Sequence, residues 1–264
     1  MSNKVTILGS GTSFGVPVIG CDCEVCRSSN PKNKRLRSSI FVETAEEKIL
    51  VDCGTDFRQQ ALRAGIRRID RILVTHAHAD HVSGIDELRI FLFFVRRSMP
   101  VWCNAAAMKE LRLRFAYYFE EGAYEGANPE FPPVLELHEF WEPMIIGDVR
   151  VTPIPVMHGR LEILGFRFND LAYVTDCKTM PETSMELLRG VDTLILNALR
   201  TKPHAVHMSL DDAVALVKEI GPKRAYFVHM THDLEHEATN EYLAGIPGAP
   251  PMELAYDGLT LQFD

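Results

Sequence analysis

Short apolar runs recur along the chain, rich in Val, Ile, Tyr and Phe and bounded by polar or turn-forming residues, a pattern that predicts β-strands. They are VTIL (5–8), SSIFVE (38–43), KILVD (48–52) and RILVT (71–75), then VRVTPIP (149–155), GFRF (165–168), LAYVTD (171–176), DTLIL (192–196) and RAYFVH (224–229). Between them lie segments with helical spacing of apolar residues: TDFRQQALRAG (55–65), GIDELRIFLFFVRR (84–97) and AAAMKELRLRFAYYFEE (105–121). SLDDAVALVKEIG (209–221) adds a Ser start signal and a Gly stop signal. Strands that come first in pairs and then alternate with helices predict stacked sheets flanked by helices. GAYEGANPEFPP (122–133) reads as a surface loop. With no internal repeat and no low-complexity linker, one domain over residues 1–264 is expected.

Length and composition add limits. A chain of 264 residues with 46% hydrophobic content can bury one large core or two modest ones. No stretch reaches the roughly 18 apolar residues of a membrane span, and MSNKVTILGSG lacks the apolar core of a signal peptide. A cytoplasmic protein with no membrane partner is the expectation. The net charge of −8, with no run of like charges longer than a few residues, argues against a large nucleic-acid footprint. It leaves small anionic substrates open, because bound metal can supply local positive charge.

The chemistry concentrates in THAHADH (75–81), which places His76, His78, Asp80 and His81 directly after the strand RILV and ahead of a helical segment. His and Asp suit zinc-class metals, and a two-metal hydrolytic site needs more such groups than one motif holds. Further candidates stand at other strand ends: His158 after VTPIPVM, Asp176 closing LAYVTD, and His229 closing RAYFVH.

HxHxDH followed by His, by Asp in a VTD turn and by His resembles the metallo-β-lactamase superfamily along nearly the whole chain. The resemblance implies an αββα four-layer sandwich. It also implies His76, His78 and His158 on one divalent metal, Zn or Mn, and Asp80, His81 and His229 on a second, with Asp176 bridging. Asp80 counts among the catalytic groups as well as the ligands. Di-iron redox members carry Glu at the position of His78, so the histidine favours hydrolysis. Antibiotic-degrading members are exported, and no export signal is expected here.

VPVIGCDCEVCRSS holds Cys21, Cys23 and Cys26 as C-x-C-x-x-C. In a reducing compartment such a cluster reads as a metal site rather than a disulfide framework, and a structural zinc normally closes with a fourth ligand. His232, three residues after His229, is the candidate. The cysteine loop and the H-x-x-H pair resemble the phosphoribosyl cyclic phosphate phosphodiesterase branch, which implies Cys21, Cys23, Cys26 and His232 as a structural zinc site. That branch also carries a histidine at the point matching His207, thought to assist departure of the leaving oxygen. Imidazole is chemically suited to that task. His204 is the rival.

Other features carry less. GSGTSFG (9–15) fails as a dinucleotide fingerprint because Phe14 stands where the third glycine should fall. It reads as a tight turn beside the site. In KNKRLR (32–37), Arg35 or Arg37 is placed to reach a substrate phosphate, Arg37 being the choice. Cys53, Cys103 and Cys177 are expected as small buried residues, His138 and His236 as surface ones. The resulting expectation is a two-metal phosphodiesterase acting on a small phosphate ester, ribose cyclic phosphates and nucleotide-like esters included. A metal-activated water would be the nucleophile and His207 the general acid, and assembly as a homodimer is compatible with this. The rivals are a thioester hydrolase, a tRNA 3′-processing endonuclease, and a non-enzymatic protein of pyrroloquinoline-quinone biosynthesis. The last typically lacks the full ligand set present here.

Overall fold

A computed structural model describes residues 3–91, 98–119 and 135–264. Among the described residues, fourteen strands form two seven-stranded sheets. The first sheet contains β1 (Asn3–Gly9), β2 (Ser39–Glu43), β3 (Lys48–Val51), β4 (Arg71–Leu73), β5 (Met99–Cys103), β6 (Leu135–Glu139) and β14 (Thr260–Phe263), in the order β14-β1-β2-β3-β4-β5-β6. The second contains β7 (Met144–Ile146), β8 (Val149–His158), β9 (Leu161–Phe168), β10 (Leu171–Val174), β11 (Thr193–Asn197), β12 (Arg224–Val228) and β13 (Met252–Leu254), in the order β13-β12-β11-β10-β9-β8-β7.

Side-chain alternation turns these sheets into layers. In a strand, neighbouring residues face opposite sides. Ile49 and Val51 therefore enter the core between the sheets with Phe166, Tyr173 and Ile195. Leu50 points outward to pack with Phe57, Val82 and Leu111 on the helical side. In the second sheet Ala172, Val174, Leu194 and Leu196 face the opposite flank, against Leu210, Ala213 and Val217 of helix Leu210–Ile220. Three apolar cores between four layers are the αββα sandwich. They bury both faces of β10 and β11, which is why those strands read as unbroken apolar runs.

Most predicted elements appear with shifted ends. The 55–65 segment forms helix Phe57–Ala64, closed by Gly65 at φ 66°, and the 209–221 segment forms helix Leu210–Ile220 with a capping box between Ser209 and Asp212. The 105–121 segment is shorter than expected: helix Ala105–Arg114 is followed by a 3₁₀ turn, Ala116–Tyr118. Segment 84–97 begins with a 3₁₀ turn, Ile85–Leu88, and its residues 92–97 lie outside the described residues, as does the 122–133 loop. Strand β8 tolerates Pro153 and Pro155 because β7 pairs only with Val149–Val151, which leaves that stretch of β8 without a neighbour strand on one side. Cys53, Cys103 and Cys177 are buried as expected. His236 corrects the expectation of a surface residue: it is 1% exposed, with its Nε2 3.1 Å from Asn240 Nδ2. Position 236 opens a helix whose first turn packs inward, a context that a lone histidine does not announce. His138 is half-buried, its ring stacked on Trp102.

Candidate metal centre

Five strands end at one rim, and each delivers a polar residue there. Asp52 follows β3, His76 and the rest of its loop follow β4, His158 is the last residue of β8, Asp176 lies two residues beyond β10, and His229 follows β12. Asp52, Asp176 and His229 all adopt left-handed backbone conformations, φ 62°, 55° and 57°. Such conformations cost roughly 1 kcal/mol or more for a residue with a Cβ. Three together at one rim mark a place where direction of the side chain outweighs local comfort. Backbone packing is equally tight: a Cβ on Gly54 would lie 2.0 Å from the Asp80 carbonyl oxygen, and one on Gly84 1.9 Å from that of Gly54. Only glycine lets the 52–54 loop support the histidine loop this closely.

The side chains form two donor sets. His76, His78 and His158 place one ring nitrogen each within 4.8 Å of one another, and so do single donor atoms of Asp80, His81, Asp176 and His229. His76 Nε2 and His78 Nδ1 are 3.0 Å apart. Asp176 joins the sets. Its Oδ1 lies 3.1 Å from His229 Nδ1 and 3.4 Å from His81 Nε2, while its Oδ2 lies 4.0 Å from His76 Nε2 and 3.8 Å from His207 Nδ1. One carboxylate thus offers an oxygen to each side.

Outer partners orient the rings. Asp52, fully buried, lies 2.7 Å from His81 Nδ1, so Nε2 is turned toward Asp80 and Asp176. The Thr75 amide and hydroxyl donate to the same carboxylate at 2.8 and 2.9 Å. His158 Nδ1 donates to the Val206 carbonyl at 2.8 Å, freeing its Nε2 for the site. Ligating histidines generally need such partners. Asp52 was not singled out in the sequence, although KILVD ends on an aspartate as LAYVTD does.

Electrostatics favour the forms that bind cations. Burial opposes ionisation of Asp176, but the surrounding histidines, His229 and His81 first, hold it well below the usual carboxylate range. Burial pushes His76 well down, and His78 and His229 down as well, which keeps these rings neutral and their lone pairs available. His81 is the exception: burial opposes its charge, but Asp176 and Asp52 raise its pKa well above the usual imidazole range. Its buried Nε2, 3.3 and 3.4 Å from oxygens of Asp80 and Asp176, forms no hydrogen bond among the described residues. A buried polar atom without a partner costs free energy unless something else satisfies it, and a cation at this point would. The residues present therefore fit a pair of divalent metals.

His207 sits over this cluster, its ring centroid 4.6 Å from that of His158 and 4.9 Å from that of His229. Burial, with the neighbouring His229 next, pushes it down to about 3. His204 is one ring further out, 5.1 Å from His207. Arg37 is engaged within the protein: its guanidinium pairs with Asp56 at 2.8 Å and donates to the Ser13 carbonyl at 2.9 Å, bracing the turn that GSGTSFG makes. That turn borders the site, with Thr12 Oγ1 3.3 Å from His229 Nε2.

The second cluster stands on the cysteine loop. Sγ of Cys21, Cys23 and Cys26 lie 3.3, 3.5 and 3.3 Å from His232 Nδ1. Tetrahedral zinc with bonds of about 2.3 Å to sulfur and 2.0 Å to nitrogen places those atoms roughly 3.5 Å apart, so this set also fits a metal.

A sequence profile described as the beta-lactamase superfamily domain matches residues 47–230, the stretch that carries every donor of the two sets. The chain belongs to the metallo-β-lactamase superfamily. Fold and donor set are those of a metal-dependent hydrolase. A crystallised diphosphatase of the PhnP family is 42% identical, with a TM-score of 0.89 over 100% of this chain and 98% of that one. An octanoyltransferase of Porphyromonas gingivalis is 38% identical over 99% of this chain and 52% of its own length, so the chain spans about half of that relative. A ribonuclease Z of Bradyrhizobium diazoefficiens is 51% identical over 63 residues, 23% of this chain and 21% of that one. Among the described residues no helix is long and apolar enough to cross a membrane.

Proposed function

We propose that the chain is a two-metal hydrolase of small phosphate esters, cleaving a P–O bond in a phosphodiester or a diphosphate. The observation that carries this reading is Asp176, whose two oxygens face two separate donor sets. His76, His78 and His158 would hold one divalent cation, Asp80, His81 and His229 the other, and Asp176 both. When bound, such a pair supplies a water of lowered pKa and neutralises charge on the non-bridging oxygens. The chain's own residues do the rest. Asp52 and the Val206 carbonyl fix two rings in their tautomers. The incoming water oxygen bonds to phosphorus, the bond to the leaving oxygen breaks, and that oxygen takes a proton. His207, whose ring lies against those of His158 and His229, would give it. The free chain holds His207 neutral at pH 7, so donation requires the anionic phosphoryl group beside it to raise its proton affinity, in the sense in which Asp176 already acts. Cys21, Cys23, Cys26 and His232 would hold a structural zinc.

The identity with a PhnP-family diphosphatase supports phosphate chemistry. The octanoyltransferase relative favours a second reading, thioester hydrolysis, although that name belongs to a protein twice as long. A panel of bis(p-nitrophenyl) phosphate, a ribose cyclic phosphate, ADP-ribose and octanoyl-glutathione thioester separates the two. Turnover of at least one phosphate ester, with the thioester untouched, is expected; hydrolysis of the thioester alone would overturn the proposal.

A further inference from the structure

Two donors of one set, His76 and His78, line one end of a longer depression. From His76 and His78 a cleft of about 380 Å³ runs between helix Ala105–Arg114 and the start of β9. The two walls are tied at their base, where Asn104 Nδ2 donates to the Glu162 carbonyl at 3.1 Å. Arg114 fixes the wall to the floor: its guanidinium donates to the Ala77 carbonyl, between the two ligand histidines, at 2.5 Å and pairs with Glu110 at 2.9 Å. The cleft is therefore built onto the loop that carries His76 and His78. Its volume falls within the range of small-molecule sites, roughly 300–1,000 Å³.

Lys109 lines this cleft, exposed, and forms no ion pair or hydrogen bond among the described residues, whereas Arg114 beside it is committed. On the facing wall the Glu162 side chain is exposed and has no ion-pair partner among the described residues.

We propose that this cleft is the subsite for the part of the substrate beyond the phosphorus under attack, and that Lys109 binds a second phosphoryl group there. The inference rests on the phosphohydrolase reading above and sharpens it to esters of diphosphate. The Lys109 ammonium, on the cleft wall beside His76 and His78, would meet the charge of the neighbouring phosphoryl group, which a simple diester lacks. Glu162 works against that charge from the other wall and so limits affinity for the most anionic ligands.

The test compares ADP-ribose, with two phosphoryl groups, and bis(p-nitrophenyl) phosphate, with one, on the metal-loaded protein. Lys109→Ala should raise KM for ADP-ribose about tenfold, the size of one charge-assisted phosphate contact, and change bis(p-nitrophenyl) phosphate kinetics much less. Lys109→Arg should restore most of the loss, and Glu162→Gln should shift the ADP-ribose KM the opposite way, about two- to threefold lower. Equal effects of Lys109→Ala on both substrates, or none on either, would overturn the subsite while leaving the hydrolase reading intact. A wild-type chain that turns over bis(p-nitrophenyl) phosphate or a ribose cyclic phosphate but not ADP-ribose would likewise overturn the subsite alone, and one inert on every phosphate ester of the panel would sink the hydrolase reading with it.

Discussion

The two donor clusters share one short segment, with His229 in one and His232 in the other, yet they are assembled on different chemical terms. The strand-end cluster uses only nitrogen and oxygen donors, gathered from four strand ends, with buried Asp176 common to both halves. The loop cluster takes three sulfurs from a six-residue stretch and a single imidazole from across the fold, and no carboxylate stands in its donor set. Four donors around one point close a tetrahedron and leave nothing for substrate. Two donor sets sharing a carboxylate hold two charges side by side and keep positions open for water and a phosphoryl oxygen. On the proposed reading both clusters would bind metal, and the shared carboxylate with its open positions would separate chemistry from scaffolding.

Mutation can break that contrast. Asp176→Ala removes the one group common to both halves and should lower kcat by about a thousandfold or more, the several kcal/mol expected of metal-assisted charge stabilisation; steady-state kinetics with metal content measured in parallel check it. His207→Ala should come next. Its loss on a ribose cyclic phosphate, whose alkoxide needs a proton, should be about a hundredfold or more, and much smaller on bis(p-nitrophenyl) phosphate. Equal losses would assign His207 to binding, and a selective loss in His204→Ala would move the role outward by one ring. Asp52→Asn should cost about ten- to a hundredfold in activity or metal affinity, the range typical of partners behind ligating histidines. The smallest catalytic effect should come from Cys23→Ser. Structural zinc binding contributes to folding free energy, so the readout there is a melting temperature lower by about 5 °C or more, at roughly 2–4 °C per kcal/mol for a chain of this size. An unchanged melting temperature would remove the structural role from the loop cluster.

Much of this arrangement can be read in the residues. His76, His78, Asp80 and His81 announce themselves by density, and His158, Asp176 and His229 by their place at the ends of apolar runs, because a strand end is where a side chain can leave the core without breaking a ladder. The layers were legible for the same reason: LAYV and TLIL are apolar on both faces, as strands covered on both sides must be. Less visible were contributions that depend on convergence. Asp52 matters because it meets His81 from a different strand, and nothing in KILVD shows which partner it will find. Lys109 and Glu162, 53 positions apart in the sequence, face one cleft only because the Asn104 side chain ties the two walls. The segment after Gly84 carried strong apolar periodicity, yet its first turn is 3₁₀, beside a glycine packed so closely that a Cβ there would lie 1.9 Å from the Gly54 carbonyl oxygen.

The central claim is that hydrolysis depends on two metals held by the strand-end cluster and on none held by the cysteine loop. The direct measurement strips the protein with a chelator until elemental analysis shows only tightly held zinc, then titrates Zn or Mn back while following hydrolysis of bis(p-nitrophenyl) phosphate. The account predicts one zinc per chain that resists removal, no turnover at that point, and activity that rises to a plateau at two added equivalents. Full activity in the stripped protein, or a plateau at one equivalent, would contradict it.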